Sequence, residues 1–103
     1  MAWNIQNKEK YQLFSPTFSE EQELSDALLV VQTAKNKIVD ISLLTLTDSS
    51  VALLAKVYEY HVARQVSFIV VVSSFENLDR LEEYFIVVPS ISEAIDYIYM
   101  EEL

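Results

Sequence analysis

The chain has no glycine among its 103 residues, where about seven per hundred is usual, and this absence limits its folding options more than any motif it contains. Glycine is the default residue for left-handed backbone, for the reversal after a helix and for close approach of backbone to a ligand. A chain without it must end its helices on Asn, Ser or other side-chain-bearing residues. It also cannot build a P-loop, a GxGxxG turn, a GxSxG nucleophile elbow or a glycine nest for phosphate. Pro16 and Pro89 are the only prolines.

Hydrophobic patterning therefore carries most of the structural information. Residues 2–5 and 11–14 read as short strands on either side of a polar turn at 6–10, a hairpin that Pro16 then interrupts. Ser19, Glu20, Glu21 and Gln22 match a capping box. Leu24, Ala27, Leu28, Val31 and Ala34 follow at helical spacing, which predicts a helix over 20–35 with Asn36 as its left-handed terminator. "KIVDIS" at 37–42 is a β-rich run. Over 51–64, Val51, Leu54, Ala55, Tyr58 and Val62 form one helical stripe, widened by Leu53, Val57 and Tyr60. "VSFIVVVS" at 66–73 has the β-branched character of a strand covered on both faces, the best candidate for a central strand. Ser74 is placed to cap a short helix with Leu78 and Leu81, and "FIVV" at 85–88 reads as a further strand. Ser90 to Glu93 forms a second capping box before a helix presenting Ile91, Ala94, Ile95, Ile98 and Tyr99, up to Leu103. The order β-β-α-β-α-β-α-β-α predicts an α/β domain over 1–103. We expect a mixed sheet of four to five strands with about four helices, parallel from residue 37 onward, and the hairpin antiparallel at one edge.

Composition narrows the function classes. About half of the residues are apolar, yet no uninterrupted apolar stretch approaches the ~20 residues of a membrane span. The first ten residues are polar and lack a secretion-signal core, so a cytoplasmic location is expected. With no cysteine there is no disulfide, thiolate nucleophile or thiolate metal site. Sixteen acids against seven bases give a net charge of −9, which repels nucleic acid and anionic membranes and fits a protein partner better.

The cluster Thr47-Asp48-Ser49-Ser50 lies where the strand pattern gives way to the long helix. Asp48 or Ser49 is a natural helix cap there. From residue 37 to 103 the chain also resembles the STAS domain, the anti-sigma-factor antagonist family. "IVDIS", the "DSS" turn, the long apolar helix, the β-branched strand, the short helix and strand, and the closing "SEAIDYI" helix occur in the family's order, and the N-terminal part fits its opening hairpin and first helix. The resemblance implies a STAS-like fold and a regulatory protein–protein interaction module. It makes Ser50 the phosphoryl acceptor, with Ser49 as the alternative, and Thr47, Asp48, Ser49, Ser50 and Val51 the partner-binding turn. The implied partner is an anti-sigma factor with serine-kinase activity, which would itself hold any ATP, so no cofactor is expected in this chain. Val51 stands where the family has glycine, and "SPTFSEE" replaces a glycine-bearing loop. Two alternatives remain open: a STAS-like interaction or scaffold domain without a phosphorylation switch, and a binder of a small apolar ligand in a groove marked by Tyr58, Tyr60, Tyr84, Phe85, Tyr97 and Tyr99.

Enzyme readings find less support. His61, Ser50 and Asp48 are the residue types of a catalytic triad, but eleven residues of helix put His61 roughly 16 Å from Ser50. A helix-surface histidine is the expectation. Asp40 and Asp48 lack the paired acids and late lysine of a response-regulator pocket. The pairs Glu20-Glu21, Glu82-Glu83 and Glu101-Glu102 diverge on a helix and predict solvated faces, with no metal site.

Overall fold

The computed structural model describes residues 3–17, 35–44, 46–73 and 75–101. These form five strands, β1 (Trp3–Asn7), β2 (Gln12–Pro16), β3 (Lys37–Asp40), β4 (Phe68–Val71) and β5 (Ile86–Val88). Among them are three helices, α1 (Asp48–Ala63), α2 (Phe75–Leu81) and α3 (Ile91–Glu101). The helix predicted over 20–35 and the caps at Ser19 and Ser74 lie outside the described residues, so the described helices number three where about four were expected.

The strands form one sheet in chain order, β1-β2-β3-β4-β5. β1 and β2 pair antiparallel with Trp3 opposite Pro16, and every later neighbour is parallel. The middle strand is β3, with β4 one place further along. Pro16 is tolerated at the end of β2 because the pairing of β2 with β3 stops at Phe14, so no ladder hydrogen bond toward β3 is required of it.

Period-two alternation sends side chains to two cores. Phe14, Val39, Phe68 and Val70 face one side with Trp3, where Leu54 and Val57 of α1 and Leu81 of α2 cover them. Leu13, Ile38, Ile69 and Val71 face the other, against Ala94 and Ile98 of α3. The rings of Trp3 and Phe14 meet edge to face at 5.7 Å. Each fully buried aliphatic side chain contributes roughly 2 kcal/mol through apolar surface removed from water. The continuous apolar run of β4 thus serves both faces at once.

Two helix stripes differ from expectation. In α1 the buried positions are Ser50, Val51, Leu54, Val57 and His61, while Val62 is 54% exposed. The seam runs to His61 because Phe68 and Lys37 receive its ring. In α3, Tyr99 is exposed, and Tyr97 packs against the core in its place. Ser90 Oγ accepts the Glu93 amide at 3.2 Å, the predicted cap of this helix.

Helix α1 ends without glycine by placing Gln65 in the left-handed region, φ 59°. The Val66 amide donates to the His61 carbonyl and the Gln65 amide to Val62, both near 3 Å, which makes a Schellman turn. Asn36 is not left-handed. Its side chain instead donates to the Lys10 carbonyl and accepts the Ser67 amide, joining the hairpin, β3 and the segment before β4.

Candidate functional site

Parallel strands deliver their following loops to one end of the sheet, and the loop after β3 carries the Thr47-Asp48-Ser49-Ser50 cluster there. The cap of α1 is Thr47, where Asp48 or Ser49 was expected. Its backbone is extended, its Oγ1 accepts the Ser50 amide at 3.4 Å and its carbonyl accepts the Val51 amide at 3.0 Å. Asp48 becomes the first helical residue, where a carboxylate complements the positive helix end. Its Oδ1 accepts from Arg80 Nη2 at 2.6 Å, and Arg80 Nη1 donates to the Leu46 carbonyl at 3.3 Å. Arg80 thus straps α2 across the turn. With Asp48 fully exposed, the ion pair adds little stability.

The five residues of the predicted partner-binding turn separate into two groups. Thr47, Asp48 and Ser49 are exposed. Ser50 is only 2% exposed, with its Oγ 3.4 Å from Thr47 Oγ1. Val51 is 7% exposed and belongs to the core under α1, so it is not available as a contact residue. Its apolar spacing to Leu54 explains why valine stands there: the position is inward, where a side chain adds burial.

One residue at this end was not singled out from the sequence. Leu43, two residues past Ile41, is 95% exposed, while Leu44 and Leu46 are buried. "LLTL" contains no periodic signal that tells the outward leucine from the inward ones. Asp40 sets the local geometry, since its Oδ1 accepts the Ser42 amide at 3.1 Å and the Ser42 hydroxyl at 2.7 Å. That turn directs Ile41 and Leu44 inward and Leu43 to water. Asp40 is therefore a turn-forming residue of the same end.

His61, predicted on the helix surface, is fully buried. Its Nδ1 lies 2.7 Å from the Val57 carbonyl, which can only accept, so Nδ1 carries the proton. Nε2 is then the acceptor for the Lys37 ammonium at 3.3 Å, which also donates to the Lys35 carbonyl at 2.8 Å. The ring stacks at a tilt on Phe68, 4.9 Å between centroids. Burial lowers the His61 pKa, against a raising influence of the Val57 hydrogen bond, and the Lys37 and Arg64 charges lower it further. Burial, with the Lys35 charge, brings Lys37 down to about 8. Both ring nitrogens are engaged at this end of α1, so the structure does not assemble His61 with Ser50 and Asp48.

The aromatic residues divide as well. Tyr58 and Tyr97 line one cleft of about 400 Å³ with Val62, Phe68 and Ile86. Phe85 is core, and Tyr84 and Tyr99 are exposed. Burial and the neighbouring Glu101 raise the Tyr97 phenol, keeping it protonated. Among the described residues, no helix is long and apolar enough to cross a membrane.

No family model matches the sequence, and no curated protein matches it. Solved structures do match. A variant of Moorella thermoacetica RsbS with glutamate in place of a serine aligns over 99% of this chain and 98% of its own, at 14% identity and a TM-score of 0.72. A structure from the stressosome, described as a signal integration and transduction hub, aligns over 96% of this chain and 98% of its own, at 14% identity and 0.66. The unphosphorylated anti-sigma factor antagonist SpoIIAA aligns over 95% and 98%, at 16% identity and 0.61. At these identities the likeness is one of fold, and it agrees with the strand order, the edge hairpin and the helices described above: this chain has the STAS-like fold of the anti-sigma-factor antagonists.

Proposed function

We propose that this chain is a regulatory module that binds a protein partner in the cytoplasm through the end of the sheet where Leu43 and the turn at 47–49 are exposed. The observation that carries the reading is Leu43, a large apolar side chain in water in the same loop region as three exposed polar residues, on a fold shared with an anti-sigma factor antagonist. An apolar anchor ringed by polar groups is the usual composition of a protein contact. The implied partner is an anti-sigma factor with serine-kinase activity or a related scaffold, and ATP belongs to that partner.

The switch we propose is phosphorylation of Ser49. Its hydroxyl is exposed in the first turn of α1, whereas Ser50 is reached by a kinase only when that turn opens. A phosphate at Ser49 is tolerated by the positive helix end and adds about two negative charges to a surface that a partner must desolvate. The burial of Ser50 and the inward Val51 also favour a second reading, a permanent interaction domain without a switch. Intact mass and fragment mapping of protein isolated from its own cells separate the two. Phosphate on Ser49 supports the switch, phosphate on Ser50 reassigns the acceptor, and unmodified protein under all growth conditions leaves the permanent contact. Leu43→Ser should abolish capture of the partner without lowering the melting temperature; undiminished capture would remove this end from the interface.

A further inference from the structure

Positive charge is scarce in this chain and unevenly placed. Of its seven Lys and Arg residues, Lys8, Lys10 and Lys35 line one cleft of about 470 Å³. A fourth, Lys37, is buried behind that wall and donates to the Lys35 carbonyl at 2.8 Å. The cleft sits where β2, β3 and β4 begin, at the end of the sheet opposite the turn at 47–49. Among the described residues Glu9 is the single acid in its lining, and Tyr11 and Val66 give it a less polar side.

The backbone of the cleft is fixed by hydrogen bonds. The Lys8 amide donates to the Tyr11 carbonyl at 2.9 Å and Gln12 Nε2 to Asn7 Oδ1 at 2.6 Å, which close the hairpin. The Asn36 carbonyl accepts the Gln12 amide at 2.9 Å, and the Asn36 side chain bonds Lys10 and the Ser67 amide at 3.0 and 2.8 Å. The hairpin, the entry to β3 and the segment before β4 are therefore held in one geometry. Lys8, Lys10 and Lys35 line the space between them.

We propose that this cleft is a binding site for a small phosphate-bearing anion. A concave wall on which one sign of charge predominates focuses its field into the cavity, and here three lysines outnumber one glutamate among the described lining residues of a chain whose net charge is −9. The cations are lysines, with no arginine in the lining. Ammonium groups act as separate point charges and lack the planar fork that pairs with a carboxylate, so they suit a compact group with several charged oxygens. The volume falls in the range of small-molecule sites. The overall charge of −9 opposes an extended polyanion or an anionic membrane, both of which would lie across the acidic surface as well, so the ligand is a free small molecule.

The test titrates inorganic pyrophosphate into the whole chain at ionic strength matched with sodium chloride, followed by amide chemical shifts. Saturable shifts at residues 7–12, 35 and 36 are expected. Lys8→Ala combined with Lys35→Ala should weaken binding roughly tenfold or more through the lost charges. Both side chains are exposed, so the melting temperature without ligand should stay unchanged. Shifts that fail to saturate, shifts centred on residues 47–49, or equal affinity in the double variant would each overturn the proposal. A second arm uses phosphatidylcholine vesicles carrying phosphatidylinositol bisphosphate. Absence of co-sedimentation supports a free ligand, and co-sedimentation that pyrophosphate does not compete away contradicts it.

Discussion

The first turn of α1 keeps Thr47, Asp48 and Ser49 in water, with Arg80 reaching over from α2, while the last turn of the same helix buries His61 against the Lys37 ammonium and turns away through left-handed Gln65. Both ends are rich in polar groups. At the first, the hydrogen bonds satisfy the helix backbone and Thr47, Asp48 and Ser49 stay exposed to water, with Asp48 paired to Arg80. At the second, the polar side chains satisfy one another and the interior closes over them. Polar residues thus mark function only where the fold leaves them accessible, and the catalytic-looking trio of His61, Ser50 and Asp48 fails because it is divided between the two ends.

Both ends depend on the sheet beneath them, and the largest effect comes from removing that support. Ile69 is fully buried in β4, between β3 and β5. Ile69→Asp should unfold the chain, with a loss well above about 4 kcal/mol, because a carboxylate would be buried without a partner. Far-ultraviolet circular dichroism and amide exchange in residues 68–71 measure it. A folded variant with slow exchange would contradict the buried position of β4.

The next effect separates the ends by pH. Lys37 titrates at about 8 in the folded chain against 10.5 when free. Within that window the unfolded chain holds a proton that the folded chain has released, so stability rises with pH, by up to about 3 kcal/mol over the whole window. The pKa of His61 is lowered from 6.5. As pH falls through 6.5 the unfolded chain gains a proton that the folded chain resists, and stability falls. Denaturant unfolding between pH 5.5 and 9.5 should therefore slope upward at both extremes, on the order of 1.4 kcal/mol per unit at most. Lys37→Met should flatten the alkaline limb. A rise that persists in this variant would assign the alkaline effect to other groups.

The same contrast explains what was legible in the sequence. The parallel sheet and edge hairpin followed from alternation between strand and helix patterns, because period and order depend on many residues together. The turn at 47–50 was legible as a helix start. Which serine is buried was not, since Ser49 and Ser50 have the same chemistry and differ only by the 100° step between adjacent helix positions. His61 was misplaced for a related reason: Val62 is the more apolar neighbour, and only Lys37 and Phe68, brought in from β3 and β4, make the histidine position the inner one. Leu43 faces outward because of the Asp40–Ser42 turn, a local hydrogen-bond arrangement that hydrophobic pattern does not record.

Val51 sharpens the comparison at the exposed end, because it is core although Thr47, Asp48 and Ser49 just before it are exposed. Val51→Gly should cost on the order of 2 to 3 kcal/mol, combining lost burial with the backbone entropy of glycine inside a helix. A loss below about 1 kcal/mol would mean that the side chain packs against the turn and shields it. Measured beside it, the phosphorylation rate at Ser49 and Ser50 shows whether loosening the first turn admits a kinase.

The smallest pair of effects should have opposite signs at the two ends of α1. At Thr47 the side-chain oxygen accepts the Ser50 amide at 3.4 Å, a long hydrogen bond that still satisfies an amide with no partner within the helix. Thr47→Ala should lower stability by about 1 kcal/mol. At Gln65 the Schellman hydrogen bonds are made entirely by the backbone, with the Val66 amide on His61 and the Gln65 amide on Val62. They survive loss of the side chain, and the residue meanwhile holds φ 59° with a Cβ, which costs about 1 kcal/mol. Gln65→Gly should recover most of that cost, less a few tenths for the greater freedom of glycine in the unfolded chain. Urea denaturation of the two single variants and the double variant tests this. The sites lie at opposite ends of a sixteen-residue helix, so their effects should add, leaving the double variant close to the parent. A Gln65→Gly variant less stable than the parent would show that the glutamine side chain, and not the backbone turn, secures this end of the helix.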